Sequence, residues 1–216
     1  MNRLFLLSVL TISFVLYSCN DDDVVEERVY LEKESGFEKT YGGTESDELN
    51  SIVEQQNFLY SLGYTNSLGD MNGDFYLVKT DLEGNSIWEK TFGSAQLDVG
   101  YRIVKSTDGN LFLLGATEKA NAGNRDIQLY KVDTDGNLIW EKSWGGAGQE
   151  IAETLIETSN SEILIAATTS SIGNGGRDIY LTWLSAQGNI LREKTYGRSG
   201  DDGASDLLEI ENGKLL

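Results

Sequence analysis

From about residue 47 onward the chain is written in short apolar or alternating runs, for example residues 101–107, 111–117, 126–133 and 138–144, each closed by a turn signal. Strict alternation and β-branched enrichment over such lengths predict half-buried strands. The closing dipeptides are Glu83-Gly84, Asp108-Gly109, Asp135-Gly136, Gln187-Gly188 and Asn212-Gly213, whose glycines supply the positive φ that a tight hairpin needs. One stretch reads two ways. Residues 48–60 have the spacing of an amphipathic helix, but their counterpart at 99–112 contains Gly100 and Asp108-Gly109, which favours a hairpin in both places.

The word counterpart is earned by an internal repeat. Glu38-Lys39-Thr40-Tyr41-Gly42 returns as Glu89-Lys90-Thr91-Phe92-Gly93, as Glu141-Lys142-Ser143-Trp144-Gly145 and as Glu193-Lys194-Thr195-Tyr196-Gly197, with the lysines stepping by 51, 52 and 52 residues. Asp74, Asp126 and Asp178 keep the same step. Four short antiparallel strands per unit of about 52 residues predict an all-β fold, a β-propeller of four-stranded blades. A β-solenoid is the other repeat architecture, usually with a shorter period. The blades are expected near residues 47–93, 99–145 and 151–197, with a partial one at 203–216. Residues 36–42 match only a blade's last strand, as in propellers that close by an N-terminal strand. Residues 36–216 hold about three and a half units, so the sequence reads as an open, incomplete arc, a fragment of a longer, seven-bladed protein.

The first 35 residues differ in kind. Arg3 precedes residues 4–16, an apolar stretch that suits a secretory signal peptide and is too short for a stable membrane span. Leu16-Tyr17-Ser18-Cys19 resembles a bacterial lipobox, which makes Cys19, the single cysteine, the expected lipid-attachment residue after removal of residues 1–18. Several buried methylenes at about 0.8 kcal/mol each make a multiply acylated cysteine a stable anchor. Asn20-Asp21-Asp22-Asp23 resembles the surface-export signal of Bacteroidota lipoproteins, and residues 19–35 read as an acidic tether. The repeats themselves, with aspartate-aromatic-leucine-valine-lysine at 74–79 and Trp88-Glu89-Lys90-Thr91-Phe92-Gly93, resemble tandem β-propeller surface lipoproteins of the Bacteroidota. That resemblance implies an outer-membrane, cell-surface protein anchored by lipid. It implies no one activity, since such families include lectin-like and glucanase-like members.

Composition narrows the chemistry. The 216 residues include no histidine, no proline and one cysteine, which excludes imidazole-based triads, imidazole metal ligands and internal disulfides. A formal charge of -18 excludes nucleic acid as a natural partner. Asp47, Asp98, Glu150 and Asp202 recur just before each unit's first strand. They read either as a ring of carboxylates at a channel mouth, able to draw a cation such as calcium or a cationic ligand, or as repeated turn caps in an acidic protein, the weightier of the two. No other cofactor is indicated. Hairpin arithmetic pairs Asp81 with Ser86 and so places Lys79 opposite Trp88, Lys131 opposite Trp140, and Trp183 opposite Arg192. Each is read as a structural cation-π pair worth roughly 0.5–1 kcal/mol when exposed. Catalysis is disfavoured, because an acid and a nucleophile need unlike surroundings and these acids repeat in like ones. The function expected is a non-catalytic binding or interaction module for extracellular glycans or proteins. A polysaccharide hydrolase and a purely structural envelope component are the alternatives.

Overall fold

The computed structural model describes residues 36–70, 72–118 and 125–216. The stretches expected to be a signal peptide and a tether, with the expected lipid-attachment residue Cys19, lie outside the described residues. Twelve strands form three four-stranded antiparallel sheets in chain order. The first holds β1 (Asp47–Gln55), β2 (Phe58–Thr65), β3 (Asp74–Thr80) and β4 (Ser86–Phe92). The second holds β5 (Asp98–Lys105), β6 (Leu111–Glu118), β7 (Arg125–Val132) and β8 (Leu138–Trp144). The third holds β9 (Glu150–Glu157), β10 (Ile163–Thr169), β11 (Asp178–Leu184) and β12 (Ile190–Tyr196). A short pair, β13 (Glu209–Ile210) and β14 (Lys214–Leu215), follows. This is an open, incomplete propeller of three blades and a two-stranded sheet. Residues 48–60 form the β1–β2 hairpin, so the helical spacing there misleads: Gln56 and Asn57 adopt φ of 54° and 65° and turn the chain back.

The packing follows from the pattern. The central strands β6 and β7 of the middle sheet are buried on both faces because a sheet packs on each side, which is why they read as nearly continuous apolar runs. Tyr60, Leu62, Phe75 and Leu77 of the first sheet meet Ile103, Leu113, Tyr130 and Val132 of the second. Phe112, Leu114, Ile127 and Leu129 of the second repeat the arrangement against Leu155, Ile163, Ile165 and Tyr180 of the third. At roughly 1.5–3 kcal/mol for each large side chain removed from water, these two layers dominate the stability of the arc. The role of the neighbour shows at one repeat position: Ile103 and Leu155 are each 2% exposed, whereas Ile52, with no sheet before it, is 59% exposed.

The fourth strands add a second lock. Trp88 lies on the turn glycine Gly136 of the next blade, and Trp140 lies on Gly188. Phe37 lies on Gly84 in the same way, and Tyr41 Oη donates to the Gly84 carbonyl at 2.8 Å. Residues 36–42 therefore occupy a fourth strand's place against the first blade. They carry no strand themselves, since a ladder needs a third strand beside it and none of the described strands pairs with them.

Candidate functional site

The turn that ends each third strand is held by its own side chains. Asp81 Oδ1 accepts from the amides of Glu83 and Asn85, and Asp133 does the same for Asp135 and Asn137. Asp81 thus faces Asn85 and Thr80 pairs with Ser86, one residue short of the pairing expected from the turn. A bulge at Ile87 restores the count, so Lys79 is opposite Trp88. Lys131 is likewise opposite Trp140, and Trp183 opposite Arg192.

The cations do not all choose the indole. Lys79 Nζ lies 4.4 Å from the centre of the Phe58 ring and 5.9 Å from that of Trp88. Arg192 stacks on Trp183 at 4.5 Å. Lys131 Nζ lies 5.0 Å from the Phe112 ring centre and is ion-paired with Asp108 Oδ2 at 2.6 Å. Burial works against the Asp108 carboxylate, but hydrogen bonds from Lys131, Asn110 and Ser106 outweigh it and lower its pKa to about 2.

The repeated first-strand acids act as loop caps. Asp47, Asp98, Glu150 and Asp202 each accept the backbone N–H four residues earlier, from Gly43, Ser94, Gly146 and Arg198 at 2.6–2.9 Å. Asp47 also accepts from the hydroxyls of Thr65 and Ser67; burial pulls it up, yet these bonds leave it below the usual carboxylate range. The acids that open the third strands cap in the same way, Asp74 from Asp70 and Asp178 from Asn174.

The two sets meet around the motif glycine. A side chain on Gly93 would come within 2.1 Å of Asp74 Oδ1 and 3.0 Å of Asp98 Oδ2, and Gly145 stands in the same relation to Asp126 and Glu150. The glycines that end the second, third and fourth Glu-Lys-Thr/Ser-aromatic-Gly motifs, Gly93, Gly145 and Gly197, are thus each required by two converging carboxylates, which sequence alone did not reveal. Burial, with the nearby charges of Asp70 and Asp98, raises the Asp74 pKa. Among the described residues no group of three or more Asp, Glu, His or Cys is arranged to hold a metal ion.

A different set of residues faces open space. The first strands β1, β5 and β9 touch in succession. Each carries one extra residue at the same repeat position: Asn50, Tyr101 and Glu153 interrupt the pairing with β2, β6 and β10. A bulge turns its side chain away from the sheet's regular alternation. All three line one cleft of 530 Å³, together with Glu48, Tyr64 and Arg102. Asn50 Nδ2 donates to the Gly100 carbonyl at 2.9 Å, and Arg102 Nε to the Glu153 carbonyl at 3.4 Å. Burial raises the Glu153 pKa, opposed by the Arg102 charge. Sequence reasoning missed this cleft. The available signal was one repeat position occupied by an amide, a phenol and a carboxylate.

No family model matches the sequence. The chain is 22% identical, over an alignment of 208 residues, to the regulatory protein FlaEY of Caulobacter vibrioides, covering 80% of this chain and 22% of that protein's length. Two solved structures are similar in fold, each at 13% identity. A protein of unknown function from Bacteroides caccae gives a TM-score of 0.42, covering 78% of this chain and 69% of its own. An endo-arabinase from Bacteroides thetaiotaomicron gives 0.47, covering 76% and 66%.

Proposed function

We propose that the protein is a lipid-anchored, cell-surface module of the outer membrane that binds extracellular glycans without chemistry. The bulge residues carry this reading: at one repeat position of three sheets built on the same plan, Asn50, Tyr101 and Glu153, three unlike polar groups, line one cleft. Clefts of roughly 300–1,000 Å³ with a few convergent polar groups are typical ligand sites. Amide, phenol and carboxylate suit hydroxyl-rich ligands, and a loop of a protein partner is the other occupant to be tested. The repeated acids favour a scaffold role, since each described one is engaged in capping a loop. Anchoring rests on Cys19 and its preceding apolar run.

The test is a glycan-array screen of the intact protein, repeated with Asn50→Ala, Tyr101→Ala and Glu153→Ala combined. Loss of binding by tenfold or more with Tm retained supports the reading; unchanged binding by the triple variant refutes it. Hydrolysis of a polysaccharide is a second reading favoured by one observation, the burial that raises Glu153 as a general acid requires. Release of reducing ends by the intact protein, abolished by Glu153→Gln, would establish it.

A further inference from the structure

Repeat symmetry breaks at one place buried between the first two blades. In the first and third blades a tyrosine of the third strand donates to a glutamate of the fourth, Tyr76 to Glu89 and Tyr180 to Glu193. A threonine ending the second strand donates to the first-strand acid, Thr65 to Asp47 and Thr169 to Glu150. The second blade keeps Glu141, Thr117 and Asp98 at the matching positions but has Gln128 where the tyrosine belongs. The ring and both bonds are missing there, and a cavity of 560 Å³ opens.

Gln128, Tyr130 and Thr117 line that cavity and are only 6%, 5% and 5% exposed. None of their side-chain polar atoms makes a hydrogen bond among the described residues. These polar atoms open onto the cavity, where water can reach them, and a ligand whose own hydroxyls match their donors and acceptors can take that water's place. Asp98 stands beside them with Oδ2 held by the amide and hydroxyl of Ser94 at 2.6 and 2.9 Å. Glu141 and Lys142 form the outer wall.

We propose that this inter-blade cavity is a binding site for a neutral polyhydroxylated ligand, such as one or two sugar units, distinct from the axial cleft. An amide and two hydroxyls both donate and accept, and carboxylates accept from adjacent hydroxyls, which suits a ligand whose own groups do both. The lining acids Asp98, Glu118 and Glu141 outnumber Lys142, which disfavours anions. Burial, with Asp98, Glu141 and Asp74 nearby, raises the Tyr130 pKa and keeps its hydroxyl a neutral donor. The site stands on its own observations and not on the cleft.

Gln128→Tyr installs the residue that both sibling blades carry, puts a ring into the cavity beside Glu141 and gives Glu141 a donor. The test is saturation-transfer NMR on the intact protein with a panel of neutral mono- and disaccharides, and with putrescine and inorganic phosphate as a cation and an anion. Saccharide signals are expected with the parent protein, and in the combined Asn50→Ala, Tyr101→Ala and Glu153→Ala background, which removes the axial cleft's polar groups, Gln128→Tyr is expected to weaken the remaining affinity at least tenfold at equal or higher Tm. Should Gln128→Tyr fold poorly, Glu141→Ala is expected to show the same loss. The site is overturned if no saccharide gives a Gln128-dependent signal, or if only putrescine or phosphate does. Saccharide binding lost in the combined background but kept in Gln128→Tyr alone overturns the site while leaving the axial reading intact.

Discussion

Gly136→Ala measures how firmly one blade is locked to the next. Gly136 has a φ of +70°, and a methyl group there would lie 2.9 Å from Trp88 Cη2 and 2.8 Å from Lys90 Cδ of the preceding blade. Gly109 is its control, with φ of +84° and nothing within 4 Å of the same methyl. Left-handed backbone costs a residue with a Cβ about 1–2 kcal/mol, and forcing a methyl into packed side chains adds about 1–3 kcal/mol. Gly109→Ala is therefore expected to cost about 1–2 kcal/mol and Gly136→Ala about 2–5 kcal/mol. At roughly 2–4 °C per kcal/mol for a domain of this size, the two separate in a thermal scan. Placing Gly136→Ala in a Trp88→Ala background removes most of the clash, so the cycle is expected to return a coupling of about 1–3 kcal/mol. Equal costs for both glycines, or no coupling to Trp88, would refute inter-blade packing at this turn.

Three further outcomes follow from other parts of the molecule. Asp108 is depressed to about 2 by its partners, so its stabilisation is complete above the unfolded value of roughly 3.9 and disappears as the pH falls towards 2. A carboxyl-carbon NMR titration is expected to show that low midpoint, and Asp108→Asn to cost about 0.5–1 kcal/mol near neutral pH, since solvent screens the half-exposed carboxylate, with the difference closing below pH 4; an Asp108 midpoint near 4 contradicts this. Glu153 is raised by burial, so its charged form burdens the fold above the ordinary carboxylate value. Glu153→Gln is expected to raise Tm at neutral pH and to lose that advantage in acid, where a pH-independent difference would argue against burial as the cause. Finally, in cells fed an alkyne fatty acid the parent protein should be labelled and Cys19→Ala should not; equal labelling of both removes the anchor.

The repeat, the hairpins and the strand count were legible because they are written in local chemistry. Turn glycines, alternation and the recurring Glu-Lys-Thr/Ser-aromatic-Gly motif each act within a few residues. The pairing of Lys79 with Trp88 was legible too, though by a turn one residue shorter and a bulge at Ile87 that the arithmetic did not contain. What the sequence concealed depends on contact between blades. Trp88 reads as a partner of Lys79, yet its ring also covers Gly136, 48 positions further along. The Asp74 and Asp98 carboxylates converge on Gly93 only once the loop between the blades has folded. Gln128 looks unremarkable in its own strand and acquires meaning from Tyr76 and Tyr180, the residues that replace it in the sibling blades.

The central claim is that each four-stranded unit is capped by the aromatic of the unit before it. A nuclear Overhauser spectrum of the intact protein tests this directly. Contacts from the Trp88 indole to Gly136 Hα and from Trp140 to Gly188 Hα are expected alongside the contact across the hairpin between Lys79 and Trp88. Presence of the hairpin contact with both inter-blade contacts absent would mean that the sheets form but do not stack as described.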